Sequence, residues 1–367
     1  MEFIRVEDCC EILDSQRRPV TESERIPGIY PYYGANGIQG TINQYIFDEK
    51  LVLVAEDGGH FGSKTKPIAY LVNGKCWVNN HAHVLRAKKG FLAEYICYSL
   101  MFYKIEGYIN GATRQKLTQA ALRKLIIPKR SVEYQNAIVD RLDLVKCIIE
   151  KKQNIINELD LLIKSRFDEF NKTNKHVKKL KLEDVCSSIV RGPFGSALKV
   201  ENFVKKSTSS VKVYEQVNAI QSSASIGSRY ISKDHYELLK RFRCMPGDII
   251  MSCSGTIGKL YILPSNAEKG IINQALCKFT LGKYLLPEVF LLYMNVLINN
   301  IETKGSGIKN ISAVKFIKSL EIPVPSIELQ KKLLIELNQI NKLKSDVQKS
   351  IDETQLLMDS LMQEYFG

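Results

Sequence analysis

The sequence predicts an α+β chain with an internal pseudo-twofold repeat: two strand-rich lobes joined by two long antiparallel helices that pair as a coiled coil. Three observations carry this. The first is a repeat. The stretch from Leu125 to Phe170 returns without a gap 195 residues later: Ile127-Pro128 falls on Ile322-Pro323, Gln135 on Gln330, Leu142 on Leu337, Leu162 on Leu357, Glu169 on Glu364 and Phe170 on Tyr365. A period this long is not a solenoid repeat, and it points to two similar half-molecules, each a lobe followed by a helix.

The second observation is a heptad seam. Ile138, Leu142, Val145, Ile149, Lys152, Ile156, Leu159 and Ile163 alternate steps of four and three. Leu333, Leu337, Ile340, Lys344, Val347, Ile351, Thr354, Met358, Leu361 and Tyr365 take the same steps. No Pro or Gly interrupts either run, and both far exceed the usual helix of about 11–12 residues. With a whole lobe between them, the two runs are expected to pair antiparallel. Lys152 and Lys344 on the seam are expected to snorkel to solvent rather than to set register.

The third observation is that lobe landmarks recur in one order. Val6-Glu-Asp-Cys-Cys echoes Leu182-Glu-Asp-Val-Cys, Gly59-His-Phe-Gly62 echoes Gly255-Thr-Ile-Gly258, and Asn80-His-Ala82 echoes Asn273-Gln-Ala275. FLAEYICYSL echoes PEVFLLYMNVL, and the loop Gly111–Thr118 echoes Gly305–Ser312. The second lobe's YEQVNAIQSSASIGSRYIS has no visible counterpart in YPYYGANGIQG.

Four segments follow, in order. Residues 1–130 form the first lobe. Within it IPGIYPYYGANGIQGTI reads as loop and short strand, YIFDEKLVLVAEDGG as strands around a turn, GKCWVNNHAHVLRAK as a hairpin and FLAEYICYSLMFYKI as a helix. Residues 131–179 are the first long helix, to residue 170, and a polar, basic linker. Here Pro128 marks the start, because the residue before a proline is biased to extended structure. Residues 180–326 are the second lobe and 327–367 the second long helix.

Composition bounds the function. With 45% hydrophobic and 25% charged residues the chain is an ordinary globular one. No apolar run approaches the roughly 18 residues of a membrane span, no secretion signal is evident at the N-terminus, and the nine cysteines lack any CxxC spacing. A cytoplasmic protein with reduced thiols and no zinc site is expected. The net charge of +13 is distributed as +5 over residues 1–130, +2 over 131–179, +8 over 180–326 and −2 over 327–367. Basic lobes on near-neutral helices suit lobes that touch a polyanion.

No catalytic constellation is found. CSGTIGKL has Cys253 and Leu260 where a phosphate loop needs Gly and Ser or Thr. GxGxxG, GxSxG, HExxH and the Asn/Asp-Pro-Pro-aromatic motif of amino-methyltransferases are missing. His81 and His83 would share a strand face, but with no further ligand they read as structural or DNA-contacting. Glu56, Asp57 and Asp248 lack the spacing of nuclease acids. The candidate DNA contacts lie in Gly-rich loops: Arg17, Arg18, Tyr32, Tyr33, Asn36, Lys64, Lys66, Arg114, Gln115 and Lys116 in the first lobe, and Arg191, Gln216, Asn218, Arg229, Lys304, Lys309 and Asn310 in the second. Arg and Lys suit phosphates and guanine, Asn and Gln suit adenine edges.

GDIIMSCSGTIG, INQALCKF, GSGIKNIS and LEIPVPSIELQKKL, with RRPVT, YPYYGANGIQG and RQKLT…LIIP…Q in the first lobe, together resemble the specificity (S) subunit of type I restriction–modification systems over essentially the whole chain. The resemblance implies two target recognition domains separated by spacer helices. It implies a non-catalytic subunit that reads a split site on double-stranded DNA, bound to two modification (methyltransferase) subunits and, in the full enzyme, to restriction subunits. S-adenosylmethionine and ATP would then belong to those partners, and no cofactor to this chain. KRSVEYQ departs from the family pattern, which often has a second Pro, as in Pro323-Val-Pro325. The rival from the residues alone is a coiled-coil adaptor whose lobes bind proteins.

Overall fold

The computed structural model describes residues 2–63, 65–111, 115–303 and 314–367. They divide into two compact units, Met1–Ile156 with Asp346–Gly367, and Asn157–Ser345. Each unit thus contains one lobe and parts of both long helices, Val132–Thr173 and Ile327–Phe366. The first helix runs three residues into the stretch that the sequence assigns to a linker.

The lobe of the first unit is built from two four-stranded sheets. One has the order Cys10–Ile12, Ala82–Ala87, Leu51–Ala55, Ala69–Val72; the other has Gly37–Ile42, Tyr30–Gly34, Lys75–Val78, Phe47–Asp48. Tyr30–Gly34 and Lys75–Val78 pair in parallel, the rest antiparallel. The expected hairpin in GKCWVNNHAHVLRAK is not formed, because Lys75–Val78 and Ala82–Ala87 enter different sheets. Between them Asn79 accepts from the His81 N–H at 2.8 Å, a local turn that redirects the chain. Phe47–Asp48 and Leu51–Ala55 part in the same way. Leu51–Ala55 is buried at every position, as a central strand covered on both faces must be.

The lobe of the second unit repeats this topology. Its sheets run Cys186–Arg191, Leu276–Leu281, Ile249–Ser252, Leu260–Ile262 and Tyr230–Ser232, Ser210–Tyr214, Gly270–Ile272, Arg243–Cys244. The segment without a visible counterpart has one after all. Ser210–Tyr214 takes the place of Tyr30–Gly34, including the parallel pairing, and Tyr230–Ser232 takes that of Gly37–Ile42. The tight turn at Ala35-Asn36 is replaced by residues 215–229, which include the helix Gln216–Ile220. The insertion hides the equivalence in sequence.

Burial along the long helices follows the seam. In the first unit Ile138, Leu142, Val145, Ile156 and Ile351 are buried and Ile149, Val347, Met358 and Leu361 half-buried, whereas Leu144 is exposed. Arg141 donates to the Tyr365 hydroxyl at 3.0 Å, and Met358, Leu361 and Phe366 pack on the lobe core. In the second unit Leu159, Leu333 and Leu337 are buried, and Ile163 and Ile340 pack beside Phe167. These pairs run in opposite directions along the sequence, so the helices pack antiparallel within each unit. Lys152 does not snorkel. Its ammonium donates to the Ser350 carbonyl at 3.0 Å, and to Ser350 Oγ and Thr354 Oγ1, both at 2.7 Å. Three acceptors on the facing helix replace the lost hydration of the charge. Lys344, by contrast, reaches outward to the exposed carboxylate of Asp160.

Each long helix is fastened to its lobe by one fully buried glutamine. Gln135 Oε1 accepts from the Leu92 N–H at 2.9 Å, and its Nε2 donates to the carbonyls of Gly90 and Arg130, both at 3.0 Å. Gln330 repeats this with the Leu286 N–H and the carbonyls of Tyr284 and Pro325, each at 2.8 Å. Leu92 and Leu286 precede the lobe helices Ala93–Met101 and Pro287–Thr303. The strand that leads into each long helix is also paired, Ile126–Pro128 with Phe3–Arg5 and Glu321–Pro323 with Lys179–Lys181. Replacing Gln135 or Gln330 by Leu leaves main-chain groups without partners, and each change should lower stability by about 2–3 kcal/mol in urea unfolding.

Candidate nucleic-acid interface

Arg17, Asn36 and Lys116 converge on the loop that follows Leu51–Ala55. In the first lobe, Leu51–Ala55 runs into Glu56-Asp57-Gly58, and Glu56 N–H donates to the His81 carbonyl at 2.8 Å. The Asn36 side chain donates to the Gly58 carbonyl at 2.9 Å, which draws the tight turn against this loop. Lys116-Leu117 arrive on the other side: Asp57 bridges Lys116, and Leu117 N–H donates to the Glu56 carbonyl at 2.7 Å. Three loops distant in sequence thereby form one surface.

A buried charge network holds them. His83 is fully buried; its Nδ1 faces Asp14 Oδ2 at 2.6 Å and its Nε2 the Leu117 carbonyl at 2.8 Å. Both ring nitrogens thus face oxygen atoms, which fixes the ring between the edge of the sheet and residue 117. Gln119 donates to the same Asp14 oxygen at 2.9 Å, and Lys116 pairs with Glu56 at 2.9 Å. Arg17 closes the network, with Nη1 at 2.6 Å from Glu56 and 2.7 Å from the Ala82 carbonyl. Asp14, Glu56 and His83 offer donors within 4.8 Å of one another, a spacing a metal could use. Their lone pairs are already engaged, and a guanidinium lies among them, so the cluster works as an ion-pair lock on residues 116–119. Burial opposes ionisation of Asp14, but the His83 ring and the Val84 N–H hold its carboxyl below the usual range. Glu56 also lies low, its burial outweighed by hydrogen bonds from Arg17 and Lys116.

In the second lobe the same strand positions carry other residues. His83 is paired with Val54 and Cys277 with Met251, at matching sites of matching sheets. Among the described residues no such lock recurs there: Arg191 ends the edge strand, and Cys253 and Cys277 are buried. Arg191 Nε donates to the Gln274 carbonyl at 3.1 Å. Lys212 is a group that the sequence reading missed. It lies between Val211 and Val213 on a strand, a spacing that suggests a solvent-facing side, yet it is 1% exposed. Its ammonium reaches the Ser225 carbonyl at 3.2 Å beneath the 215–229 insertion, and burial pushes its pKa down.

The predicted contact residues therefore divide. Tyr32 and Asn218 are buried, with internal partners: the Tyr32 hydroxyl bonds the Val20 main chain, and Asn218 ties Glu215 N–H to the Ser223 and Ile226 carbonyls. With Arg17 inside the lock, these three bond internally and hold the surrounding segments in place. Lys116 and Arg229 are exposed but paired with Glu56 and Glu215. Tyr33 is half-buried and packs against Tyr70. Arg18, Asn36, Lys66 and Gln115 are exposed, and Arg191 and Gln216 half-exposed. Lys64, Arg114, Lys304, Lys309 and Asn310 lie outside the described residues. Of the two histidines, His83 is structural, and His81 is half-exposed with Nδ1 on Asp57.

Comparison with known proteins gives a consistent result. The sequence model of the type I restriction modification DNA specificity domain matches residues 1–161 and again 174–354. A Haemophilus influenzae protein named as a type I restriction enzyme specificity subunit, S.HindORF215P, is 29% identical over 270 residues, 71% of this chain and 68% of that protein. Among solved structures, the type I restriction–modification S subunit from M. genitalium aligns with all of this chain and 96% of its own, at 14% identity and a TM-score of 0.55. A chain from a structure concerned with complex assembly and conformational transition of the type I R-M system aligns at 14% identity, covering 100% of this chain and 97% of its own, with a TM-score of 0.61. At that identity the likeness is one of fold.

The depressed carboxylate of Asp14 has a signed consequence. Its folded pKa lies below the unfolded value of about 3.9, so its contribution to stability is complete above that pH and is lost as pH falls through the folded value. Asp14→Asn should destabilise the protein at pH 7 and flatten the loss of stability below about pH 4. Urea midpoints measured from pH 7 to pH 3 check both.

Proposed function

The chain belongs to the type I restriction modification DNA specificity family, and from that premise we propose that each lobe reads one half of a bipartite site on double-stranded DNA while the paired helices set the gap. The observation that carries this is one scaffold used twice with unlike loops. Identical strand orders end in a tight turn at Ala35-Asn36 in one lobe and in the 215–229 insertion in the other. A reader of two different half-sites requires this combination. In this reading the exposed Arg18, Asn36, Lys66, Gln115 and Arg229 meet phosphates or base edges, and their exposure supports it. Lys64, Arg114, Lys304, Lys309 and Asn310 belong to the same proposal.

The chain is a specificity subunit, and in this reading it is non-catalytic and acts in the cytoplasm. S-adenosylmethionine and ATP are bound by its partners: two modification subunits and, in the complete enzyme, restriction subunits. The outward helix faces support the number two. Ile148 and Leu162 on the first helix are exposed, as are Leu343 and Leu357 at the positions 195 residues on. Equivalent apolar positions on equivalent helices suit two copies of one partner. None of the helices is long and apolar enough to cross a membrane, among the described residues.

Salt titration tests the DNA assignment. Binding of the assembled complex to duplex DNA should weaken linearly in log–log form with salt, through release of counterions. A protein-binding adaptor would have no appreciable DNA affinity at any salt concentration.

The helix ruler has its own test. Seven residues inserted into both helices, after Ile149 and after Lys344, preserve the seam and add about 10.5 Å, or about three base pairs. Modified-base sequencing of cells carrying this variant and its partners should find the same two half-sites with a gap longer by about two to four base pairs. Four inserted residues break the register, and that variant should assemble poorly. An active heptad variant with an unchanged gap would remove the helices as the ruler.

A further inference from the structure

We propose that Phe194 is a base-stacking wedge of the second lobe: an exposed ring, backed by Arg191, that inserts against a base in the half-site this lobe reads. The inference rests on the DNA-reading assignment and adds to it a residue and a mode of contact.

Phe194 is 66% exposed and lies three residues past the end of the strand Cys186–Arg191. Single exposed apolar residues are common on protein surfaces, so its setting decides the matter. The turn that presents the ring is braced. Gly192 N–H donates to the Leu276 carbonyl at 3.0 Å. A Cβ at position 192 would lie 1.9 Å from the Asn273 carbonyl oxygen, so only glycine allows this approach. Pro193 is buried and fixes its own φ. The Arg191 guanidinium lies over the ring, 5.1 Å from its centre, and is anchored through Nε on the Gln274 carbonyl. A cation on a ring at the loop end of a basic lobe joins the two things a stacked nucleotide needs, a π-surface and a positive charge for its phosphate.

The first lobe sets the contrast. In the structure Asn79, not Asn80, is the counterpart of Asn273, each accepting from the N–H two residues on, so Asn80 matches Gln274. There Arg17 approaches the matching carbonyl, that of Asn80, at 3.5 Å, and it is held by Glu56 at 2.6 Å and Asp14 at 3.4 Å. The residues around it are Ser15, Gln16 and Arg18, with no aromatic ring. The same corner of the fold is an internal lock in one lobe and a presented ring in the other, so the scaffold does not require the ring. Apolar wedges partly unstack base steps, and aromatic rings stack on exposed bases.

The test uses the complex assembled with its modification subunits, and half-sites mapped by modified-base sequencing. Duplexes carry 2-aminopurine in turn at adenine positions of each half-site, with Phe194→Ala and Phe194→Trp beside the wild type. The wild type should raise fluorescence at a position in the second lobe's half-site. Phe194→Ala should lose that rise and bind at least about fivefold more weakly, and Phe194→Trp should restore both. Folding is not at issue for so exposed a side chain, and an unchanged melting temperature confirms it. A Phe194→Ala complex that keeps the signal and the affinity overturns the proposal, as does a wild type with no signal in that half-site. A wild-type complex that binds DNA without selectivity would instead sink the DNA-reading assignment, and this inference with it.

Discussion

The hydrogen bonds of one buried glutamine in each half-molecule connect everything else. Gln135 and Gln330 each bind three main-chain groups from three directions: the start of a lobe helix, the loop before it and the short link between the lead-in strand and the long helix. An amide that is fully buried and fully bonded has one acceptable orientation. The long helix therefore leaves its lobe at a fixed rotation. Its seam then faces the other helix, and its exposed apolar residues face outward. Without that fixed rotation, the heptad pattern would still pair two helices but would not orient a lobe.

Above this root the two lobes share backbone order and differ in what fills it. The sheet corner beneath the reading loops holds Asp14, Glu56 and His83 in one lobe, and Arg191, Cys253 and Cys277 in the other. In the first, a network of charges in mutual contact ties the 116–119 segment to the sheet. In the second, a long insertion is held by Lys212 and by the Asn218 amide. Either device keeps a loop fixed against solvent without altering the strands below, which is how one fold can carry two specificities.

Lys152 illustrates a similar division of labour along the helices. An ammonium on an apolar seam is costly unless bonded. Ser350 and Thr354 supply acceptors only when the helices stand in one register. The lysine thus favours one alignment over those a seven-residue slip would allow, a role that a buried polar group on a seam is suited to.

The duplication and the helix seam were legible from residues alone, because they depend on periodicity. A repeat of 195 residues and a four-three spacing need no coordinates. Which side chains stay at the surface was decided only by the tertiary structure. Arg17, Tyr32 and Asn218 sit in segments of the right composition, yet each is turned inward by partners 5 to 65 residues away in sequence. Phe194 gave no signal in sequence, since an aromatic in a Gly-Pro turn is as easily core as surface. The hairpins expected at 47–55 and 75–87 failed for the same reason. Strands adjacent in sequence pair only if their buried faces agree, and Leu51–Ala55, apolar on both faces, was claimed by a different sheet. Local pattern fixes which segments form strands and helices; burial on both faces, a property of the whole fold, fixes their neighbours and so the surface that remains.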